Sequence, residues 1–122
     1  MTTKLDLRTS LNVPVTETTT PAELFQNQTL RPILKLQNEM YLAVFSTYAS
    51  RQKTDFSLLS VEKKCSFVEQ SLLKDSVLKN TFIGITIGMF TPEELEMYHA
   101  DHKVFNRRII TMLIERIKSQ IK

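Results

Sequence analysis

Glycine and proline are scarce in this 122-residue chain, with two of the first and four of the second. Antiparallel β folds need many turns, and turns lean on these residues, so their scarcity favours helices. A single cysteine, Cys65, excludes an intramolecular disulfide and every multi-cysteine zinc framework. Two glycines cannot build a phosphate-cradling loop, which counts against nucleotide chemistry. The longest nearly apolar run, Phe82 to Phe90, is too short to cross a bilayer, and the opening MTTKLDLRTSLNV lacks the apolar stretch of a signal peptide. No membrane partner is expected, and the expected location is cytoplasmic.

What is present reads as one helical domain. Hydrophobic residues make up 42% and charged residues 24%, in the range of soluble globular proteins rather than disordered ones. Residues 1–20 hold seven threonines and no helical periodicity, and are expected to form a flexible arm. Residues 21–122 are expected to form an all-α domain of four principal helices plus a short N-terminal one. Thr20-Pro21-Ala22-Glu23 has the pattern of a capping box, which starts the short helix. Pro32 predicts a break or kink at Thr29–Arg31, because it lacks an N–H and disfavours helical geometry at the residue before it. Helical spacing then runs from Ile33 to about Arg51, from Leu58 to Lys74 with Val61, Cys65, Val68 and Leu72 on one stripe, and from Val77 to Met89. The last of these contains Gly84 and Gly88 at GxxxG spacing, read as close helix approach or a helix end. A strand reading of TFIGITIGMF lacks a partner strand. Thr91-Pro92-Glu93-Glu94 repeats the capping-box pattern and predicts one long helix to about Gln120.

Both histidines lie in EMYHADH, residues 96–102. On one unbroken helix of 100° per residue, His102 falls at the middle of the apolar face and His99 to one side. Glu96 and His99 then make the E-x-x-H pair used in di-iron bundles. Two histidines cannot supply the second pair that such a site needs within one chain. Glu96, His99 and His102 are therefore candidate metal ligands with a carboxylate from Glu39, Glu62 or Glu69, weighed against plain burial of two imidazoles. No catalytic residue and no cofactor are assigned. Cys65 reads as a small apolar residue rather than a nucleophile.

Two polar features are weighed as anion contacts, the first against a solvated face that complements a helix C-terminus and the second against amides that bridge the kink at Pro32. The net charge is +3, and Lys103, Arg107, Arg108, Lys118 and Lys122 share an arc of the last helix outside its apolar face. QNQTLRPILKLQNE brings amides and cations to a helix start, where Gln28, Arg31 and Lys35 are candidate anion or partner contacts. No aromatic interleaving or helix-turn-helix spacing supports nucleic-acid readout, so nucleic acid is disfavoured as a partner.

The stretches FQNQTLRPILKLQNEM, GITIGMFTPEELEMY and NRRIITMLIERIKSQ resemble a group of small, largely uncharacterised all-α bacterial proteins that often carry the label "glyoxalase". The resemblance spans roughly residues 23–121. It implies an all-α fold and, through the label, an activity on a small carbonyl compound; it carries no catalytic residue onto this chain. The leading expectation is a non-catalytic helical interaction or assembly module with a protein partner or a second copy of itself. A metal- or His-dependent enzyme is the alternative, and weak binding of nucleic acid or an acidic partner through the basic last helix is the second.

Overall fold

The computed structural model describes residues 20–122, so the expected arm at residues 1–20 lies, but for Thr20, outside the described residues. Among the described residues the ordered elements are helical, and the all-α expectation holds. The order is α1 (Pro21–Phe25), a π-helical turn (Gln26–Leu30), α2 (Arg31–Leu36), α3 (Asn38–Ser50), a 3₁₀ turn (Phe56–Leu58), α4 (Val61–Lys74), α5 (Ser76–Ile87), α6 (Pro92–Ala100) and α7 (His102–Ser119). No described helix is long and apolar enough to cross a membrane.

Caps explain most of the boundaries. Side-chain oxygens of Thr20, Ser60, Asp75 and Thr91 each accept from a backbone N–H in the first turn they precede. At Thr91 the box is complete, because Glu94 also accepts from the Thr91 N–H at 2.9 Å. Leu58 lies in the 3₁₀ turn, so α4 starts three residues later than its periodicity predicts.

Two expectations of helix continuity are corrected. Of the break or kink expected at Thr29–Arg31, no break occurs, and the distortion takes the form of the π turn. Arg31 keeps helical angles (φ −57°, ψ −47°) directly before Pro32, and its N–H reaches Gln26 O, five residues back. This wider π turn relieves the clash between a proline ring and the carbonyl four residues earlier. The helix instead bends at Gln37 (φ −95°, ψ 14°). Conversely, the one long helix expected from Pro92 to Gln120 is two, broken at Asp101 (φ −152°, ψ 57°). With α1, the π turn and α2 taken as one continuous run, the count is six helices rather than four and one.

Packing accounts for the second break. Phe25, Phe90, Tyr98 and Phe105 form a ring cluster, with Phe25 and Phe105 centroids 4.6 Å apart and Phe90 and Tyr98 5.8 Å apart. Tyr98 and Phe105 centroids lie 6.4 Å apart, whereas seven residues of straight helix separate backbone positions by about 10 Å. The corner at Asp101 folds α6 back over the start of α7 and brings these rings together. The Tyr98 hydroxyl then donates across the corner to Asn106 Oδ1.

The rest of the core lies where α7 meets α4 and α5, which also pack on each other. Val68, Leu72, Phe82, Ile109 and Leu113 are completely buried there. Tyr41 sits among them with its ring edge-on to Phe82 and its hydroxyl 2.7 Å from Thr86 Oγ1. Thr86 donates to Phe82 O, so Tyr41 is the donor to Thr86. Burial pushes the Tyr41 phenol up to about 12, although the Thr86 bond and the Arg116 charge pull the other way.

Candidate functional site

Residues that sequence places far apart converge on one groove. Its two walls are the run from α1 to α2 and the outer side of α7. One recess of about 640 Å³ is lined by Arg31 and Leu34 from the first wall, and by Met112, Glu115, Arg116 and Gln120 from the second. A smaller recess of about 320 Å³ continues it past Val104, Arg107 and Arg108, and Gln26, Thr111 and Met112 line both. Measured along α7 from Val104 to Gln120, the groove extends about 24 Å at 1.5 Å per residue. Among the described residues, four arginines therefore share one groove with a single lining carboxylate, Glu115.

The hydrogen bonds of those arginines go to neutral acceptors. Arg108 Nη1 donates to Gln26 Oε1 at 2.7 Å, and Arg31 Nε to Asn27 Oδ1 at 2.8 Å. Arg116 Nη1 donates to Asn38 Oδ1 at 3.3 Å, while Asn38 and Gln120 exchange amide bonds at 2.8 and 2.9 Å. Among the described residues, no carboxylate lies within ion-pair distance of Arg31, Arg107, Arg108 or Arg116. Amides fix the guanidinium planes without neutralising them, which leaves charge for an outside anion. Glu115 faces Lys118 at 4.0 Å, and Lys118 also meets Glu69 at 3.6 Å.

Gln26 opens the π turn, whose added residue displaces the side chains that follow, Arg31 among them, and Thr29, buried within it, donates to Glu94 Oε2 at 3.1 Å. That bond ties the π turn to the capping box of α6. Turns of this kind are rare and recur at functional sites.

Of the anion candidates, Arg31, Arg107 and Arg108 line the groove, whereas Gln28 and Lys35 are exposed outside it. Gln26 and Arg116 were not among the candidates. Arg116 falls off the basic arc of α7 on the wheel, and Gln26 is one amide among five until tertiary contact singles it out.

The histidine stretch does not gather. Glu96, His99 and His102 are all exposed, against the expectation that the imidazoles face the core. That expectation assumed one unbroken helix. The corner at Asp101 makes His102 the first residue of a new helix, where its side chain is exposed. The His99 ring lies 5.5 Å from that of Tyr98. Glu39 and Glu62 are exposed, and Glu69 is engaged by Lys118. Among the described residues no three His, Cys, Asp or Glu side chains come together as a metal site would require. Cys65 is half-buried. No protein-family model, curated protein or solved structure matches the chain, so the chemistry of the groove rests on its own residues.

Proposed function

We propose that the protein is a non-catalytic interaction module that holds an acidic segment of a partner protein in the groove between α1–α2 and α7. The observation that carries this reading is the line of four arginines, of which Arg31, Arg108 and Arg116 donate to side-chain amides. Leu34, Met112 and Val104 give the groove an apolar floor, which suits a helix or strand with one acidic and one apolar side. The length of the groove favours a chain segment over a small anion. Among the described residues its lining contains no aromatic ring on which a base could stack, and this favours peptide over single-stranded nucleic acid.

A fluorescein-labelled peptide with glutamate and leucine at helical spacing tests the reading by anisotropy, with oligo-dT of equal charge as the competitor. The peptide is expected to bind, with affinity falling as salt rises. Arg108→Glu is expected to weaken it at least tenfold, the scale of one lost charge-assisted contact. No binding at low salt, or tighter binding of oligo-dT, overturns the proposal.

A further inference from the structure

Within the groove α7 presents two rows of side chains, each advancing four residues at a time. The row nearer the first wall is half-buried and holds Val104, Arg108, Met112 and Arg116. From it Arg108 reaches Gln26, and Arg116 reaches Asn38 where α3 begins. The outer row is exposed and holds Arg107, Thr111 and Glu115, so its cation and its anion oppose each other in their pull on an acidic ligand. The inner row carries no acid and alternates apolar, basic, apolar, basic. At 1.5 Å of rise per residue, its neighbours are about 6 Å apart and its two arginines about 12 Å.

A ligand that follows the inner row has to repeat at the same interval. Along one face of an extended chain, side chains recur every second residue, about 6.6–6.8 Å apart, and every fourth residue at about 13 Å. Over the span of the two arginines the mismatch is about 1–1.5 Å, which long side chains absorb. A helix also repeats at about 6 Å. Interlocking its four-residue ridges with those of α7, however, crosses the two helices at about 50° and carries the ligand out of the groove. An extended ligand also differs from a helix in its backbone, whose N–H and C=O groups have no partners of their own. The groove has partners to offer. Among the described residues neither Gln26 Nε2 nor the Thr111 hydroxyl makes a hydrogen bond, and both residues line the two recesses.

We propose that the partner segment lies extended in the groove, with one acidic residue on Arg108, a second four residues away on Arg116, and an apolar residue midway on Met112. This rests on the groove reading above and narrows it to one spacing and one backbone form. Val104 lies one step beyond Arg108, so a further apolar residue two positions outside that acid adds contact at the end of the row. The two acids answer guanidiniums that amides already hold in place, so little side-chain freedom is lost when the segment binds. Both arginines are half-buried, which shields them from salt better than the exposed Arg107.

Anisotropy with the full chain and three labelled peptides tests this. The first is threonine-rich, with two glutamates four residues apart and leucine midway. The second has the same composition with the glutamates adjacent, and the third carries glutamate, leucine and glutamate at four-residue steps on an alanine-rich helix. The first is expected to bind at least about tenfold tighter than the other two. Arg108→Glu and Arg116→Glu are each expected to weaken it by about tenfold or more. Lysine in place of one glutamate is expected to restore binding to one variant only, and lysine in place of the other to the second, which a fold defect would not do. Equal binding of the first two peptides, tighter binding of the helix, or rescue that is absent or blind to position overturns this inference and leaves the groove reading standing. If none of the three peptides binds at low salt, both fall.

Discussion

Pro32 and Asp101 make a matched pair of opposites. At Pro32 the local chemistry argues for a break, and the helix continues through a π turn. At Asp101 the local chemistry argues for continuity, and the helix stops and turns. The difference lies in what each site gains from its neighbours. The π turn keeps Phe25, Leu30 and Ile33 buried and gives Thr29 an acceptor in Glu94. The corner gains a four-ring cluster and a hydrogen bond from Tyr98 to Asn106. Propensity terms of about 1–3 kcal/mol per residue are small enough for such contacts to outweigh them. The functional consequences are also opposite: one distortion builds the arginine groove, and the other scatters the histidines.

The strongest way to disturb this comparison is to cut the bond between its two halves. Glu94 accepts from both Thr29 and the Thr91 N–H. Glu94→Ala strands the hydroxyl of Thr29, a residue only 7% exposed, and opens the capping box. A loss of about 2 kcal/mol is expected in urea unfolding. Adding Thr29→Val removes the stranded hydroxyl and should recover part of that loss. A Glu94→Ala variant as stable as wild type would mean that the π turn stands without this support.

Much of the fold was legible because it is written locally. Thr20 and Thr91 announce their helices within four residues, and Val68, Leu72, Ile109 and Leu113 carry the core at helical spacing. The cap at Ser60 lay behind a periodicity that begins at Leu58. The corner at Asp101 was not legible, since it has neither glycine nor proline and depends on rings that arrive from Phe25 and Phe90. The groove was legible in halves. Arg31 belonged to one stretch, and Arg107 and Arg108 to another, 76 positions further on by the difference of 107 and 31. Their meeting at Gln26 is a tertiary fact with no local trace.

A smaller effect is expected from loosening the corner alone. Tyr98→Phe removes the hydroxyl shared with Asn106 and should cost about 1 kcal/mol. The same residue gives the corner a pH signature. Burial raises the Tyr98 phenol above its ordinary 10.0, although the Asn106 bond pulls it back in part. The folded protein thus holds this proton more tightly than the unfolded chain does. The contribution of Tyr98 is full below the unfolded value and is lost as pH rises through the folded one. Tyr41 adds a further loss between the ordinary phenol value and about 12. Urea midpoints should therefore fall above pH 10 in the wild type, and by less in Tyr98→Phe. Equal alkaline slopes in the two proteins would place the whole effect on Tyr41.

The smallest effect is expected where the sequence looked richest. His99→Ala with His102→Ala changes two exposed side chains on either side of the corner, and neither carries a hydrogen bond that the core depends on. Stability should move by no more than about 0.5 kcal/mol. Affinity for zinc, read by competition with a chromogenic chelator, should be no different from wild type. A drop in zinc affinity in the double variant would mean that the histidines find a third ligand from outside the described residues or from a second copy. The contrast with Arg108→Glu is the sharper test of the two regions. If the groove variant leaves peptide binding intact while the histidine variant alters any activity, function belongs to the corner and the arginine line is only a solvated face.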